Sequence, residues 1–165
     1  MTYKKKTWQE KMQDKEQFPK KLELELNFPC AKALQKMGAK KGDSVVLVNP
    51  REVDGIMKKV PKGKLITLNE ICRKLAKKYK TKFCCTLTAG IFVNISANAA
   101  EETKSQGKKR VTPYWRTLKN DGFLNEKFPG GAKNQKKLLE QEGHEIIKRG
   151  KRYQVKNFKR SLVKF

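Results

Sequence analysis

The sequence predicts an α+β protein that is mainly helical, and three observations support this prediction. Apolar residues recur at helical spacing in three consecutive segments after Pro50. Two short segments before Pro50 have the residue patterns of strands. Near the end of the chain, HEIIKRGKRYQV places two strand-like runs on either side of Arg149-Gly150, which is typical of a wing-like β-hairpin. We therefore expect a helical core with a short N-terminal strand and helix extension and a C-terminal β-hairpin.

The first 50 residues predict a small layer without recognisable chemistry. Residues 7–16 fit a short polar helix. KLELELNF alternates leucine with glutamate, which is the period of a half-buried strand. SVVLVNP is typical of a short buried strand closed by Pro50.

Two helices are predicted in the segment that follows. Arg51 to Val60 has its apolar residues on one face, and Pro61 ends this helix. Thr67 then opens a second helix with Glu70 three residues later, which is the pattern of a capping box. The two apolar faces contain Val53, Ile56, Met57, Val60, Leu68, Ile71, Cys72 and Leu75.

A third helix is predicted from about Leu87 to Glu102, with Thr86 or Thr88 as its cap. Because only a short turn separates it from the second helix, the pair is a helix-turn-helix candidate. Two interpretations of the third helix stay open. Small residues would let it approach the minor groove of DNA, which is only about 6 Å wide, whereas apolar residues would fit a buried core helix. The small residues are Thr88, Ala89, Gly90, Ser96 and Ala97, and the apolar ones are Leu87, Ile91, Phe92 and Ile95.

The chain is strongly basic, with 40 lysine and arginine residues, 16 acidic residues and a formal net charge of +24. Such a charge attracts polyanions, and phosphate neutralisation supplies most of the non-specific affinity of proteins for nucleic acid. Nucleic acid is therefore the first expected partner. An acidic membrane surface, an acidic protein and a lysine-rich surface kept for solubility are the alternatives. No apolar run approaches the roughly 20 residues of a membrane span, so we expect no membrane partner.

The cysteines and the histidine do not fit a metal site. Cys30, Cys72, Cys84 and Cys85 form no Cys-x-x-Cys motif, and His144 is the one histidine of the chain. We therefore expect no metal and no cofactor. The N-terminus lacks the apolar stretch of a signal peptide, which makes a cytoplasmic location the expectation, with association to the nucleoid in a prokaryote.

The segment TPYWRTLKNDGFLNEKFPGGAKNQKKLLEQEG, residues 112–143, resembles the active-site segment of the O-alkylguanine-DNA alkyltransferase family. That family reads Pro-Cys-His-Arg-Val, then a glycine eight residues after the cysteine, then Gly-Gly and a helix ending Leu-Leu-x-x-Glu-Gly. The matching residues here are Pro113, Arg116, Gly122, Gly130, Gly131, Leu138, Leu139, Glu142 and Gly143. Tyr114 stands where the family has the cysteine that accepts the alkyl group. A phenol is a far poorer nucleophile than a thiolate at neutral pH, because its pKa is about 10.

The resemblance extends back to Val53. VPKGKLITLNEICRKLA is similar to the start of the family's helix-turn-helix, but Leu68 stands where the family usually has a tyrosine that helps to rotate a backbone phosphate. Asn98 falls where the family has an Asn-Pro hinge. By that register Ala89 stands in the place of the arginine that fills the space left by a flipped base. The resemblance implies a related fold that binds DNA in the minor groove, with its flipping residues replaced.

The resemblance also implies an organisation and a function. Residues 51–157 would form an alkyltransferase-like winged helix-turn-helix domain, residues 1–50 an N-terminal extension and residues 158–165 a basic C-terminal tail. The protein would not be an enzyme. It would bind double-stranded DNA, plain, alkylated or distorted, as a monomer in DNA repair. Alkyltransferase-like proteins, which also lack the cysteine, are described as handing such lesions to excision-repair proteins.

The resemblance assigns roles to individual residues. Tyr114 and Trp115, followed by Arg116, would line or plug a base pocket, and the alternative is that the two aromatic residues fill the core. Glu142 matches the acidic member of the family's Cys-His-Glu relay and is expected to brace helices. The residues expected at the DNA are Lys62, Lys64, Thr67, Thr88, Ala89, Asn98, Arg149 and Lys151.

Three other functions stay open at this point. One is a general nucleic-acid binder without preference for a lesion. Another is an alkyl acceptor that uses Cys84 or Cys85, because both precede a helix N-terminus and follow lysines, a setting that can lower the pKa of a thiol. The alternative is a purely structural role, in which these two cysteines are small residues packed at a turn. The last alternative is a protein-interaction module.

Overall fold

A computed structural model describes residues 5–13 and 19–164 of the chain. The helices and strands in chain order are α1 (Trp8–Met12), β1 (Lys20–Glu23), α2 (Ala31–Lys36), β2 (Ser44–Leu47), α3 (Pro50–Lys58), β3 (Ile66–Thr67), α4 (Leu68–Lys78), β4 (Phe83–Cys84), α5 (Thr86–Ser105), a 3-10 helix (Tyr114–Arg116), β5 (Thr117–Leu118), α6 (Gly131–Gln141), β6 (Ile146–Arg149), β7 (Arg152–Val155) and a second 3-10 helix (Phe158–Ser161). The predicted α+β class is confirmed.

The strands form three small sheets. In the first, β1 runs antiparallel to β2, and β2 runs parallel to β4. In the second, β3 and β5 are parallel. The third is the predicted hairpin, in which β6 and β7 are antiparallel and Ile146 faces Val155. Strands β3, β4 and β5 have two residues each, too few to show a period, so the sequence did not reveal them.

The main core lies between α3, α4 and α5. The faces predicted for α3 and α4 are buried, with Val53, Met57 and Ile71 fully so. Helix α5 is longer than predicted and contributes mostly small residues to this core, among them Ala89, Ser96, Ala97 and Ala100. Small side chains allow the backbones of neighbouring helices to approach, and this explains why the small residues of α5 face inward.

A second, smaller core holds the N-terminal layer together and consists of Leu24, Cys30, Ala31, Leu34, Ala39, Val45 and Cys85. Helix α2 was not predicted. The leucine alternation of KLELELNF extends beyond the strand: β1 ends at Glu23, and Leu26 is exposed. The predicted helix of residues 7–16 is seen as α1, capped by Thr7, and residues 14–16 lie outside the described residues.

The helix caps depart from the predictions in two places. The Thr67 hydroxyl donates to Glu70 Oε1 at 3.1 Å instead of accepting from a backbone N–H. Helix α5 is capped by Cys85, whose Sγ accepts from the Thr88 backbone N–H at 3.5 Å. A threonine does not cap α5, because strand β4 runs through Cys84 and the helix begins directly after the next residue.

Both ends of the chain pack onto the middle segment. The backbone N–H groups of Trp8 and Gln9 donate to the carboxylate of Glu102 on α5, at 3.1 and 2.9 Å. After the hairpin, the Leu65 N–H donates to Ser161 O at 2.8 Å, and the Leu65 carbonyl oxygen accepts from the Val163 N–H at 2.9 Å. The predicted divisions after residues 50 and 157 stay predictions, and the structure shows backbone hydrogen bonds across both.

Candidate nucleic-acid interface

A buried ion pair joins the last residue of the first 3-10 helix, Arg116, to Glu142 at the end of α6. Arg116 Nη2 donates to Glu142 Oε1 at 2.7 Å, and Arg116 Nε donates to both carboxylate oxygens at 3.0 and 3.1 Å. Trp115 Nε1 donates to the same Oε1 at 3.0 Å, and Gly63 N–H donates to Oε2 at 3.3 Å. We call Trp115, Arg116, Glu142 and Gly63 the Glu142 cluster. It ties the end of α6 to the loop after α3, because Arg116 Nη1 also donates to Val60 O at 2.7 Å.

The Glu142 cluster favours an ionised carboxylate. Burial by itself raises the pKa of Glu142, but the hydrogen bonds from Arg116 and Trp115 outweigh it, so the net pKa lies below the usual 4.5. The side chains of Arg116 and Glu142 are 13% and 7% exposed. Glu142 therefore links α6, the first 3-10 helix and the loop after α3 through hydrogen bonds.

Tyr114 is fully buried next to this cluster. Its hydroxyl donates to Glu101 Oε1 at 2.7 Å, and its ring meets the rings of Trp115 and Phe128 edge-on, with centroids 5.4 Å apart in both pairs. Burial, and then the carboxylate of Glu101, raise the pKa of the phenol above its usual 10. The hydroxyl of Tyr114 is therefore protonated at neutral pH and is held within the fold.

Beside this closed region lies an open groove along one side of α5. The cavity measures about 240 Å³. We call it the α5 groove. It is lined by Leu68, Thr86, Leu87, Gly90, Ile91, Val93, Asn94, Thr117, Leu118, Lys119, Asn125, Lys127 and Phe128. Helix α5, strand β5 and the loop before α6 thus form its walls. The Asn125 side-chain amide donates to Asn94 Oδ1 at 3.0 Å and links that loop to the helix.

Thr117 lines the α5 groove and carries a buried hydroxyl. The residue is 2% exposed, and its Oγ1 has no hydrogen-bond partner among the residues that the structure describes. Its backbone carbonyl is satisfied, because Gln135 Nε2 donates to it at 3.2 Å. A buried hydroxyl without a partner is costly, so its presence in a residue that lines the groove makes the α5 groove a candidate ligand site.

Large apolar side chains of α5 face solvent at the same groove. Leu87 is 47% exposed and Ile91 is 51% exposed, whereas one of the two interpretations of this helix placed both in the core. By contrast, Ala89, Ser96 and Ala97 are buried, so these three small residues do not present a surface to a minor groove. Hydrogen bonding helps to hold Ser96 inside. The carboxylate of Asp54 accepts hydrogen bonds from the hydroxyls of Ser96 and Thr112, at 2.5 and 2.6 Å.

The residues predicted at the DNA are distributed over several surfaces. Lys62, Lys64, Arg149 and Lys151 are exposed, Thr88 and Asn98 are partly buried, and Thr67 and Ala89 are buried. The Asn98 side-chain amide donates to Asn94 O at 2.8 Å, within α5. Tyr114, Trp115 and Arg116 are brought together as predicted but do not line the α5 groove.

A second surface depression is larger and more open. It measures about 650 Å³ and is lined by Lys133, Lys136, Lys137, Glu140, Gln141 and Tyr153. Its lysines suit phosphate groups, yet it lacks the enclosing apolar walls that hold a ring. The α5 groove is therefore the better candidate for binding a base.

All four cysteines are buried and reduced. Burial raises the pKa of Cys30 to about 12, and a hydrogen bond with Cys84, followed by burial, raises that of Cys72. Cys84 and Cys85 are 3% and 4% exposed. Within the described residues, no group of three or more His, Cys, Asp and Glu side chains could hold a metal ion. None of the helices seen in residues 5–13 and 19–164 is long and apolar enough to cross a bilayer.

Three glycines shared with the alkyltransferase pattern adopt a backbone conformation that favours glycine. Gly122, Gly130 and Gly143 all have positive φ, at +83°, +76° and +90°. A Cβ at Gly130 would also lie 2.6 Å from the Cβ of Asn134, so a side chain there would disturb the first turn of α6.

No protein-family model and no curated protein matches the chain. Two solved structures are similar to it. One is described as S. pombe ATL in complex with DNA, with 21% identity and a TM-score of 0.50. The other is S. pombe Atl1 in complex with damaged DNA containing O6-carboxymethylguanine, with 20% identity and a TM-score of 0.49. Each similarity covers 70% of this chain and 94% of the other.

This chain shares the fold of an alkyltransferase-like protein. The resemblance seen in the sequence is therefore confirmed at the level of the fold. Thr117, Phe128, Leu87 and Ile91 were not among the predicted site residues. A signal for Phe128 was present, because it directly precedes Pro129 and the Gly-Gly pair of the matching segment. Nothing in the sequence distinguished Thr117 from its neighbours.

Proposed function

We propose that this protein binds double-stranded DNA without catalysis and recognises an alkylated or distorted base in DNA repair. The observation that carries the proposal is the α5 groove, in which the buried hydroxyl of Thr117 has no partner among the described residues. The net charge of +24 supports DNA as the partner. The similar fold of S. pombe ATL, solved with DNA, supports the same class of ligand.

In this proposal a base leaves the helix and enters the α5 groove. The volume of 240 Å³ is below the roughly 300–1,000 Å³ of sites for drug-sized ligands, which suits a single ring system. Phe128 supplies an aromatic wall, and Leu68 and Leu118 supply aliphatic ones. The Thr117 hydroxyl donates to, or accepts from, the edge of the base and gains the partner that it lacks in the free protein.

The rest of the DNA is held by positive charge. Helices α4 and α5 act as the helix-turn-helix, and the β6–β7 hairpin acts as the wing. Lys62, Lys64, Arg149 and Lys151 neutralise phosphates and fix the position of the protein without reading sequence. The protein works as a monomer in the cytoplasm, and excision-repair proteins are its further partners.

Tyr114 is unsuited to accept an alkyl group. This residue takes the place of the acceptor cysteine, and its hydroxyl is buried, donates to Glu101 and has a raised pKa. A neutral phenol does not displace an alkyl group from guanine at a useful rate. Tyr114, Trp115 and Arg116 support the base site by fixing the segment that leads into Thr117.

A general nucleic-acid binder is the second candidate, because the charge alone supports it. A cysteine acceptor is disfavoured by the burial of Cys84 and Cys85. The test is fluorescence anisotropy with two matched duplexes, one plain and one with a single O-methylguanine, across a salt series. The mass of the protein is then measured after incubation with each duplex.

We expect tighter binding to the lesion duplex, an unchanged protein mass, and affinity that falls steeply with salt for both duplexes. Equal affinity for both would leave a general DNA binder. A mass gain of one methyl group would show alkyl transfer and overturn the proposal. No binding to either duplex at low salt would exclude both DNA functions and favour a protein-interaction module.

A further inference from the structure

The four cysteines of the chain meet in two separate pairs around strand β4. The thiol of Cys72 lies within hydrogen-bonding reach of that of Cys84, and the thiol of Cys30 lies within reach of that of Cys85. The first pair belongs to the main core and the second to the N-terminal core. Successive side chains of an extended backbone point to opposite faces, which directs the neighbours Cys84 and Cys85 into different cores. The vicinal cysteines therefore pair with other segments and not with each other.

The two pairs differ in how a small molecule reaches them. Cys72 and Cys84 are 2% and 3% exposed, yet both line a surface depression of about 410 Å³. Neither Cys30 nor Cys85 lines this depression. We call it the thiol depression. It provides an approach to one pair of thiols and not to the other.

The charge at the thiol depression indicates what approaches it. Arg73, Lys77 and Lys82 line it and are exposed, and no acidic residue of the described chain lines it. Lys82 pairs with Asp43 at 3.2 Å, so most of the free positive charge comes from the other two. Such a rim attracts an anion and repels a cation. Two thiols beside a basic rim fit a small anionic disulfide.

We propose that Cys72 and Cys84 form a reversible redox site, at which a small anionic disulfide oxidises both thiols to an intramolecular disulfide. One protein thiol attacks a sulfur of the reagent as a thiolate, which gives a mixed disulfide and releases one small thiol that takes up the proton. The second protein thiol attacks the mixed disulfide and releases the second small thiol in the same way. Two electrons pass from the protein to the reagent, and an excess of the small thiol reverses both steps.

The disulfide links α4 to β4 across the turn that leads into α5. Closing the loop of residues 72–84 restricts the unfolded chain and thereby stabilises the fold. The pKa of Cys72 is raised, so exchange is slower here than at an exposed thiol. The redox site does not depend on the proposed function, because neither of its cysteines lines the α5 groove.

The test incubates the reduced full chain with oxidised glutathione, an anionic peptide disulfide, at mildly alkaline pH. Remaining thiols are then blocked in urea, and the peptides are mapped by mass. Cys30→Ala/Cys85→Ala keeps the proposed pair, and Cys72→Ala/Cys84→Ala removes it. Cystamine, a cationic disulfide, is the matched reagent. Each rate is divided by the rate for the same protein unfolded in urea, which cancels the intrinsic reactivity of the reagent.

We expect a disulfide between Cys72 and Cys84 in the wild-type protein and in Cys30→Ala/Cys85→Ala, while Cys30 and Cys85 of the wild type are recovered as blocked thiols. The oxidised wild-type protein should melt about 5–10 °C above the reduced one. Linkage of Cys30 to Cys85 in preference to this pair would overturn the proposal. A lower melting temperature after oxidation would also overturn it, because the fold would then have to distort to form the bond.

The basic rim is tested by the ratio of the two normalised rates. Oxidised glutathione should react about tenfold faster than cystamine at low salt, and high salt should reduce this ratio. Arg73→Gln/Lys77→Gln should lower the ratio by about threefold or more. Lys136→Gln/Lys137→Gln, on α6 and away from the thiol depression, should leave it unchanged. Equal normalised rates for the two reagents would refute an anionic reagent.

Discussion

The Glu142 cluster and the α5 groove are joined by one short segment, residues 114–118. They differ in whether a buried polar side chain has hydrogen-bond partners. In the cluster, Glu142 accepts hydrogen bonds from Trp115, Arg116 and Gly63, and its charge is paired within the fold. In the groove, the Thr117 hydroxyl is buried without a partner among the described residues. A satisfied network stabilises a fold, whereas an unsatisfied group in a cavity is available to a ligand.

A sequence motif can therefore lie beside a binding site without supplying the residues that contact the ligand. The residues that match the alkyltransferase pattern hold the segment in place, and the residue after them faces the cavity. Substitutions in the two regions should therefore separate stability from affinity for DNA.

The largest effect is expected from Glu142→Ala. Removal of the carboxylate leaves the Arg116 guanidinium buried without its ion pair, which should lower the free energy of unfolding by about 3–5 kcal/mol. Urea unfolding measures this loss. Glu140→Ala is the control. The Glu140 side chain is 51% exposed and pairs with Lys136 on the same helix, so the loss of unfolding free energy should stay below about 0.5 kcal/mol. Equal losses of unfolding free energy in the two variants would show that the Glu142 carboxylate does not stabilise the fold.

The same carboxylate should make stability depend on pH. The pKa of Glu142 is lowered in the folded protein, so its contribution is complete above pH 4.5 and is lost as the pH falls through the lowered value. The difference in unfolding free energy between wild type and Glu142→Gln should therefore be constant from pH 7 to 5 and shrink below pH 4.5. His144 lies nearby with a pKa lowered by burial from 6.5, so the series is repeated in a His144→Gln background. A difference that stays constant down to pH 3 would contradict the assignment.

Tyr114→Phe distinguishes a structural role of the Tyr114 hydroxyl from a role in contacting the base. The variant loses the hydrogen bond to Glu101, which should cost about 1.5 kcal/mol of unfolding free energy because the acceptor is charged. Its affinity for the lesion duplex should stay unchanged, because the ring remains and does not line the groove. Tyr153→Phe, on the hairpin, controls for the loss of a phenol elsewhere. A clear drop in lesion affinity for Tyr114→Phe alone would place Tyr114 at the base.

Thr117→Val has the smallest expected effect and the most specific one. The shape is kept and the hydroxyl is lost, so lesion affinity should fall about fivefold to tenfold while the free energy of unfolding is unchanged or slightly higher. Thr112→Val is the opposite control, because its buried hydroxyl donates to Asp54 at 2.6 Å. That variant should lose stability and keep its affinity. Undiminished lesion affinity in Thr117→Val would show that the groove does not use this hydroxyl.

Much of the local structure could be predicted from the sequence. The apolar faces of α3 and α4 follow from their spacing, and Gly143 ends α6 in the left-handed conformation that glycine favours. The hairpin follows from two β-forming runs around Gly150. The likeness of residues 112–143 to the alkyltransferase pattern predicted the fold that the similarity to S. pombe ATL supports. These features depend on neighbours in the chain, which a sequence shows directly.

The candidate site was decided by the tertiary structure. The sequence places Leu87, Ala89 and Ile91 in one helix, but it does not say which of them faces α3 and α4. The buried side of α5 takes the small residues because neighbouring helices must approach closely, and the two large aliphatic residues are left at the groove. Thr117 likewise becomes a candidate ligand contact only in the folded protein, where β5 pairs with β3. Gln135 donates to the Thr117 carbonyl, while the Thr117 hydroxyl has no partner among the described residues. The sequence determined the elements and the charge, and packing between distant segments determined which side chains are presented to a ligand.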